Sequence, residues 1–111
     1  MKESDLAEKI ITHLEKEDYV CYKEVSKNGR GGAYRTDTFF VKGNESISVE
    51  VKTTLTIKVI EQAYNWKKHC NRSYILIPKI KNGYNNRKFA FNVCKEYGIG
   101  VYVYDVNNDL I

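Results

Sequence analysis

The stretch that decides the fold runs from Thr36 to Thr53 and reads TDTFFVKGNESISVEVKT. Its first part, Thr36 to Lys42, is rich in aromatic and β-branched residues, which are typical of β-strands. Gly43 to Glu45 then supplies the residue types of a tight turn. From Ile47 to Thr53 apolar and polar residues alternate strictly, as in a strand with two different faces. The stretch therefore predicts two antiparallel strands joined as a hairpin.

The segments on both sides of this hairpin alternate between helical and extended patterns. Apolar residues at helical spacing predict a helix from Asp5 to Lys16, and β-forming residues predict a strand from Tyr19 to Val25. Downstream, the same two patterns predict a helix at Ile57–His69, a strand at Tyr74–Pro78, a helix that begins at Phe89 or Ala90 and ends at Tyr97, and a strand at Val101–Val106. The glycine-rich segment Ser26–Tyr34 and the basic segment Lys79–Asn86 are predicted to be loops.

The resulting order is α-β-β-β-α-β-α-β, which predicts an α/β fold. Three consecutive strands can form an antiparallel meander, whereas strands that are joined through helices run parallel. We therefore expect a mixed central sheet with helices on both faces, formed by a single domain that spans residues 1–111.

Composition excludes several classes of protein. With 111 residues, 42% hydrophobic and 29% charged, the chain has the balance of a globular protein and not of a disordered one. No apolar run approaches the ~18 residues of a membrane-spanning helix, and the first residues lack a signal-peptide core. Cys21, Cys70 and Cys94 lie far apart and form no C-x-x-C motif, which argues against a zinc site. We expect a cytoplasmic protein with reduced thiols and no membrane partner.

Charge is distributed unevenly along the chain. The net charge is +4, yet residues 1–18 contain three Lys against six acidic residues, so the positive charge lies in the remainder. A basic body suits a polyanionic partner such as DNA. Ordinary solubility accounts for the same charge equally well.

Polar residues inside the apolar hairpin strands form the candidate site. Glu50 and Lys52 are two residues apart, so their side chains share one face of a strand. If the two hairpin strands pair, Asp37 lies close to Glu50. Two converging carboxylates bind a hard divalent cation such as Mg²⁺, and the carbonyl of Val51 is a candidate third ligand. The ammonium of Lys52 can then hold or deprotonate a water molecule, or neutralise charge on a phosphate.

The pattern Asp37, twelve intervening residues, then Glu50-Val51-Lys52 resembles the PD-(D/E)XK nuclease superfamily. The predicted element order is similar to the restriction-endonuclease-like core of that superfamily. Glu24 followed by Arg35-Thr36-Asp37 is also similar to the E…R-x-D pattern of small DNA-repair and phage members, although Thr36 stands where proline is common. Trp66–Pro78 resembles their helix-to-strand segment. The resemblance implies a Mg²⁺-dependent deoxyribonuclease, in which Mn²⁺ substitutes for Mg²⁺, with Asp37 and Glu50 as metal ligands and Lys52 as catalytic lysine.

Two further residues enter through the same resemblance. Gln62, on the helix after the motif strand, matches a polar residue that positions the nucleophile or the phosphate, and Glu8 matches an acidic residue that some members add to the metal site. Each has an ordinary alternative: Gln62 as a helix-surface residue and Glu8 as the partner of Asp5 in a helix cap. Trp66 stands where the Q-x-x-x-Y pattern of one clade requires Tyr, which argues against that type of exonuclease.

Several basic residues are candidate DNA contacts. They share a position outside the predicted core strands, and they are Arg35, Lys67, Lys68, Arg87 and Lys88. The alternative for each of them is a charge on a solvated face. Arg35 has two readings, an ion pair with Glu24 that orients the site or a contact to phosphate.

Two functions of different class follow. The first is a metal-dependent DNA endonuclease of repair, recombination or phage DNA processing, acting as a homodimer or with a targeting partner. The second is a non-catalytic module on the same fold that binds nucleic acid or protein. An unrelated α/β protein would instead keep Asp37 and Glu50 far apart.

Overall fold

In the described part of the chain, five strands form one sheet in their sequence order, with helices on both faces. The structure is a computed structural model that describes residues 2–26, 35–79 and 84–111, with only the backbone of residues 23–26, 35–37 and 84–86. The elements are α1 (Glu3–Glu15), β1 (Val20–Ser26), β2 (Arg35–Lys42), β3 (Glu45–Val51), α2 (Ile57–Trp66), β4 (Arg72–Pro78), α3 (Tyr84–Glu96) and β5 (Gly100–Tyr104). The predicted α/β class and element order are confirmed.

The sheet is mixed, as the connections require. β1, β2 and β3 pair antiparallel, whereas β3, β4 and β5 run parallel and are joined through α2 and α3. The hairpin pairs Lys42 with Glu45, so the turn consists of Gly43 and Asn44. Gly43 has φ +58°, a left-handed conformation that glycine adopts at little cost and that the first position of a type II′ hairpin turn requires.

The sheet separates two apolar cores. On one face, α1 packs Leu6 and Ile10 against Val49, Val51 and neighbouring residues. On the other face, α2 and α3 pack against the side chains of Ile75 and Ile77. Since successive side chains of a strand point to opposite faces, Glu50, which lies between Val49 and Val51 in β3, faces α2 and α3.

Several element ends differ from the sequence prediction. α1 begins at Glu3, and the carboxylate of Asp5 accepts a hydrogen bond of 3.2 Å from the backbone N–H of Lys2. α3 begins at Tyr84 and so includes part of the predicted loop Lys79–Asn86. Most of the other predicted loop, residues 27–34, lies outside the described residues.

The first turn of α3 is Tyr84-Asn85-Asn86-Arg87, and its asparagines favour turns in isolation. It is helical here because α3 continues without a break into Ala90 and Cys94, which are buried against the sheet. Packing therefore overrides local propensity at this end of the helix. The other end follows the prediction: Gly98 has φ +69°, and the N–H of Ile99 bonds the carbonyl of Cys94 at 2.8 Å.

Candidate functional site

Glu50 is a buried carboxylate on the sheet face that α2 and α3 cover. Only 2% of its surface is exposed, and its register partner on β4 is Ile75, a residue of the core under α2 and α3. Glu50 therefore does not lie on a solvated face of the sheet. A buried charge is costly unless its surroundings compensate it, and such residues concentrate at functional sites.

Lys52 lies at the edge of the sheet, immediately after the last residue of β3. Its backbone N–H donates to the carbonyl of Leu76 at 3.0 Å and so extends the β3–β4 ladder by one residue. Its side chain is half-buried, and none of the ion pairs between described side chains includes it. Strand alternation gives position 52 the same face as Glu50. The buried carboxylate and the ammonium therefore occupy successive positions on one face, at the C-terminal end of β3.

Val51 separates these two residues and faces the other way. Its side chain is buried in the core beneath α1, and its backbone pairs with Leu76. The carboxylate of Glu50 and the peptide carbonyl of Val51 are both oxygen donors, the ligand type that Mg²⁺ and Ca²⁺ prefer. The donor chemistry at the end of β3 thus fits the expected cation.

The backbone of Asp37 lies beside this end of β3. Thr38 pairs with Val49, and in this antiparallel pair the next positions are Asp37, which precedes Thr38, and Glu50, which follows Val49. The buried hydroxyl of Thr38 donates to the carbonyl of Val49 at 3.0 Å, which fixes the register next to them. Neighbouring strands lie about 4.8 Å apart, so the backbones at positions 37 and 50 are close to one another. The side chain of Asp37 lies outside the described residues.

Glu24 of β1 is the next acidic position across the sheet after Glu50 and Asp37. Lys23 pairs with Thr38 and Val25 with Thr36, so Glu24 and Asp37 occupy the intervening positions of the two strands. Three acidic positions, Glu24, Asp37 and Glu50, therefore succeed one another across β1, β2 and β3. The sequence suggested Glu24 only through the E…R-x-D pattern, because the pairing of β1 with β2 spans a long intervening loop. The side chains of Glu24 and Arg35 lie outside the described residues.

Gln62 lies on the helix that covers the Glu50 face. α2 buries Ala63 and Trp66 against the sheet, and the Trp66 ring contacts Phe39 of β2 with 5.8 Å between ring centroids. Gln62 is half-buried at the margin of this packed side. It is therefore not a fully solvated residue, and it belongs to the element closest to the candidate site on this face.

Glu8 requires a correction. It is exposed on α1, and α1 packs on the opposite face of the sheet from the one that Glu50 occupies. The structure does not bring Glu8 and Glu50 together, and the capping role falls to Asp5 rather than to an Asp5–Glu8 pair. Helical spacing shows which side of α1 is apolar, but it does not show which face of the sheet that side covers.

Two of the predicted DNA contacts lie at the wrong end of the sheet. Lys67 and Lys68 follow the last residue of α2 and precede the first residue of β4, whereas Glu50 lies near the end of β3, which runs parallel to β4. The ammonium of Lys67 donates to the carbonyl of Tyr97 at 2.7 Å and so ties the end of α2 to the end of α3. Lys68 is exposed.

The two basic residues of α3 differ sharply in environment. Lys88 is exposed, whereas Arg87 is only 9% exposed and donates from Nη1 to the carbonyl of Pro78, the last residue of β4, at 2.9 Å. Burial lowers the pKa of the Arg87 guanidinium. The sequence prediction treated both as surface charges, and the spacing of Arg87 to Ala90 and Cys94 was the signal for its burial.

A polar cluster on the α1 face had no counterpart in the sequence prediction. Lys9, Tyr104 and Asp109 line a cavity of about 250 Å³ between α1 and the C-terminal segment. The hydroxyl of Tyr104 donates to Asp109 at 2.5 Å, and the Lys9 ammonium lies 2.9 Å from the same carboxylate. These two contacts, the hydroxyl first, lower the pKa of Asp109. Lys9 and Asp109 are about 100 residues apart in the sequence, so no local pattern indicates that they pair.

Within residues 2–26, 35–79 and 84–111, no three His, Cys, Asp or Glu side chains group closely enough to hold a metal ion, and the side chain of Asp37 is not among those surveyed. None of the helices in these ranges is long and apolar enough to cross a membrane.

Comparison with known proteins supports the fold. No protein-family model and no curated protein sequence matches the chain significantly. Among solved structures, SfsA from Pyrococcus furiosus, in complex with Ca²⁺, is similar with a TM-score of 0.52 and 15% sequence identity. The similarity covers 86% of this chain and 52% of SfsA, so the chain spans about half the length of that protein. At this identity the likeness establishes a shared fold.

Proposed function

We propose that the chain is a metal-dependent DNA endonuclease of the PD-(D/E)XK type, which hydrolyses phosphodiester bonds with Mg²⁺. The observation that carries the proposal is the burial of Glu50 at the C-terminal end of β3, with Lys52 at the next position of the same face. A carboxylate is costly to bury under two helices. A bound cation would compensate that cost, and a buried site would orient the carboxylate and strengthen its electrostatic interactions.

Each residue then has a defined task. Asp37 and Glu50 hold the cation with their carboxylates, and the carbonyl of Val51 adds a neutral oxygen. When bound, the cation supplies Lewis-acid stabilisation of the phosphate and lowers the pKa of a coordinated water. Lys52 orients the attacking water and offsets the negative charge that develops on the phosphate. Gln62 positions the nucleophile or the phosphate from α2.

Two further observations support the substrate and the cation. Positive charge is concentrated outside the first 18 residues, as binding to the DNA backbone requires. SfsA, which shares the fold, has been solved with Ca²⁺. Ca²⁺ takes oxygen ligands as Mg²⁺ does, and these are the ligands that Asp37, Glu50 and Val51 offer.

The test is a cleavage assay on supercoiled, linear, single-stranded and four-way-junction DNA, with Mg²⁺, Mn²⁺ or EDTA. Asp37→Asn, Glu50→Gln and Lys52→Met each remove one charge with little change in side-chain size. Glu8→Gln is the matched control, because it removes a carboxylate from the opposite face of the sheet. We expect metal-dependent cleavage that falls by at least about 10³-fold in the three site variants and is unchanged in Glu8→Gln.

Cleavage that persists in all three site variants would refute the assignment. No cleavage by the wild-type protein, with salt-sensitive DNA binding retained, would instead establish the non-catalytic binding module.

A further inference from the structure

Arg87 is a buried cation whose charge nothing in the described part of the chain neutralises. Its Nη1 donates to the carbonyl of Pro78, but its Nη2 is buried and has no hydrogen-bond partner among the described residues. None of the ion pairs between described side chains includes it. An unpaired buried charge costs several kcal/mol, and arginine is almost never buried without a partner. The position of Arg87 is therefore that of a residue whose partner is a ligand.

The guanidinium of Arg87 lies at the C-terminal end of β4. Arg87, Ala90 and Cys94 lie on one side of α3, since residues three and four apart are neighbours on a helix. Ala90 and Cys94 fill the core over Ile75 and Ile77. Arg87 continues that side beyond the core, and its side chain leans toward the start of the helix, where it meets the end of β4.

The first turn of α3 adds a second source of positive potential. Arg87 is the fourth residue of this 13-residue helix, and the first turn contains no acidic residue. The leading N–H groups of a helix have no partner within the helix and carry its positive dipole end. An oxyanion beside Arg87 would thus meet both a guanidinium and a helix N-terminus, the combination that binds phosphate in many proteins.

This place is adjacent to the candidate cleavage site without being part of it. Pro78 lies three residues after Ile75, the register partner of Glu50, which corresponds to about 10 Å along β4. Glu50 and Arg87 both lie on the side of the sheet that α2 and α3 cover, at the C-terminal end of the parallel strands. A DNA strand with one phosphate at Glu50 and Lys52 would bring a flanking phosphate toward Arg87.

We propose that Arg87 and the first turn of α3 bind a phosphodiester group of the DNA strand that flanks the scissile phosphate. The proposal rests on the proposed function for the identity of the polyanion. Arginine suits the task because its fork of donors spans two acceptors, here the Pro78 carbonyl and a phosphate oxygen.

The test measures DNA binding in EDTA, so that turnover plays no part. Arg87→Met removes the charge and keeps the aliphatic stem, Arg87→Gln retains donors for the Pro78 carbonyl, and Lys88→Met is the control, an exposed neighbour on the same helix. We expect roughly tenfold weaker binding in both Arg87 variants and a fall of about one in the slope of log K against log salt. Lys88→Met should show a smaller loss of affinity.

A second arm distinguishes DNA from free phosphate. Inorganic phosphate at matched ionic strength should raise the melting temperature of the wild type, through the same site, more than that of Arg87→Gln. If DNA affinity and salt slope are unchanged in Arg87→Gln, the proposal is overturned. If inorganic phosphate in that case still stabilises the wild type more than Arg87→Gln, the site binds free phosphate and not DNA. Failure of the nuclease assignment is read separately, from the absence of Mg²⁺-dependent cleavage by the wild type.

Discussion

Under the proposed function, the buried carboxylate of Glu50 serves activity at the expense of stability. It is buried under α2 and α3 between two valines whose side chains face α1. An apolar residue at this position would pack better, and a carboxylate there is stabilised when a cation binds it. The energetic consequence is a coupling between cation binding and folding.

We therefore predict that Mg²⁺ stabilises the wild-type protein but not Glu50→Gln. At ten times the dissociation constant of the ion, the expected gain is about 1.4 kcal/mol, or roughly 6 °C in melting temperature for a chain of this size. The measurement is thermal unfolding with and without Mg²⁺ at constant ionic strength. Glu8→Gln is the control and should keep the full shift. An equal shift in Glu50→Gln would place the cation elsewhere.

At the scale of elements, the carboxylate of Asp109 links the C-terminal segment to α1 through its ion pair with Lys9. The hydroxyl of Tyr104 and the ammonium of Lys9 both donate to it, and they lower the pKa of Asp109. A carboxylate whose pKa is lower in the folded state stabilises the fold above its unfolded pKa of about 3.9. That contribution is lost as the pH falls through the folded-state pKa.

Asp109→Asn should consequently destabilise the protein near pH 7, and its effect should shrink as the pH falls below about 3.9 toward the folded-state pKa, where the wild-type carboxylate becomes protonated. Urea unfolding from pH 2 to pH 7 would show the two stability curves converging toward acid. Glu15→Gln, an exposed change at the end of α1, controls for the general loss of one negative charge. Parallel curves for Asp109→Asn and the wild type would mean that the ionised Asp109 carboxylate contributes nothing to stability.

The elements also show what sequence patterns can and cannot predict. Strand alternation around Glu50 and the apolar spacing of α1 depend on neighbours in the chain, and both were predicted from the sequence. The face that α1 covers and the start of α3 depend on packing between distant segments. For that reason the sequence alone predicts Glu8 at the site and a loop at Tyr84–Asn86, and the structure differs at both.

For the whole molecule, the decisive feature is that the two ends of the sheet have different roles. The C-terminal ends of β3 and β4 carry Glu50, Lys52 and the Pro78 carbonyl that binds Arg87. Lys67 and Lys68 lie at the opposite end of the sheet. The sequence predicts them as DNA contacts because the positions of charges along the chain do not show at which end of the sheet a residue lies. A lysine at that end serves packing or solubility rather than the candidate site.

We expect Lys67→Met to reduce the free energy of unfolding by about 1 kcal/mol, because the ammonium loses its hydrogen bond to the Tyr97 carbonyl, where the last carbonyls of α3 attract a cation. Lys68→Met, a change at the exposed neighbour, should leave stability within about 0.5 kcal/mol. Under the proposed function, neither variant should alter the metal dependence or the rate of DNA cleavage, whereas Lys52→Met should abolish cleavage. Urea unfolding and the cleavage assay together distinguish an effect on stability from an effect on cleavage. A large loss of cleavage in Lys68→Met, with unchanged stability, would show that DNA reaches the α2–β4 end of the sheet.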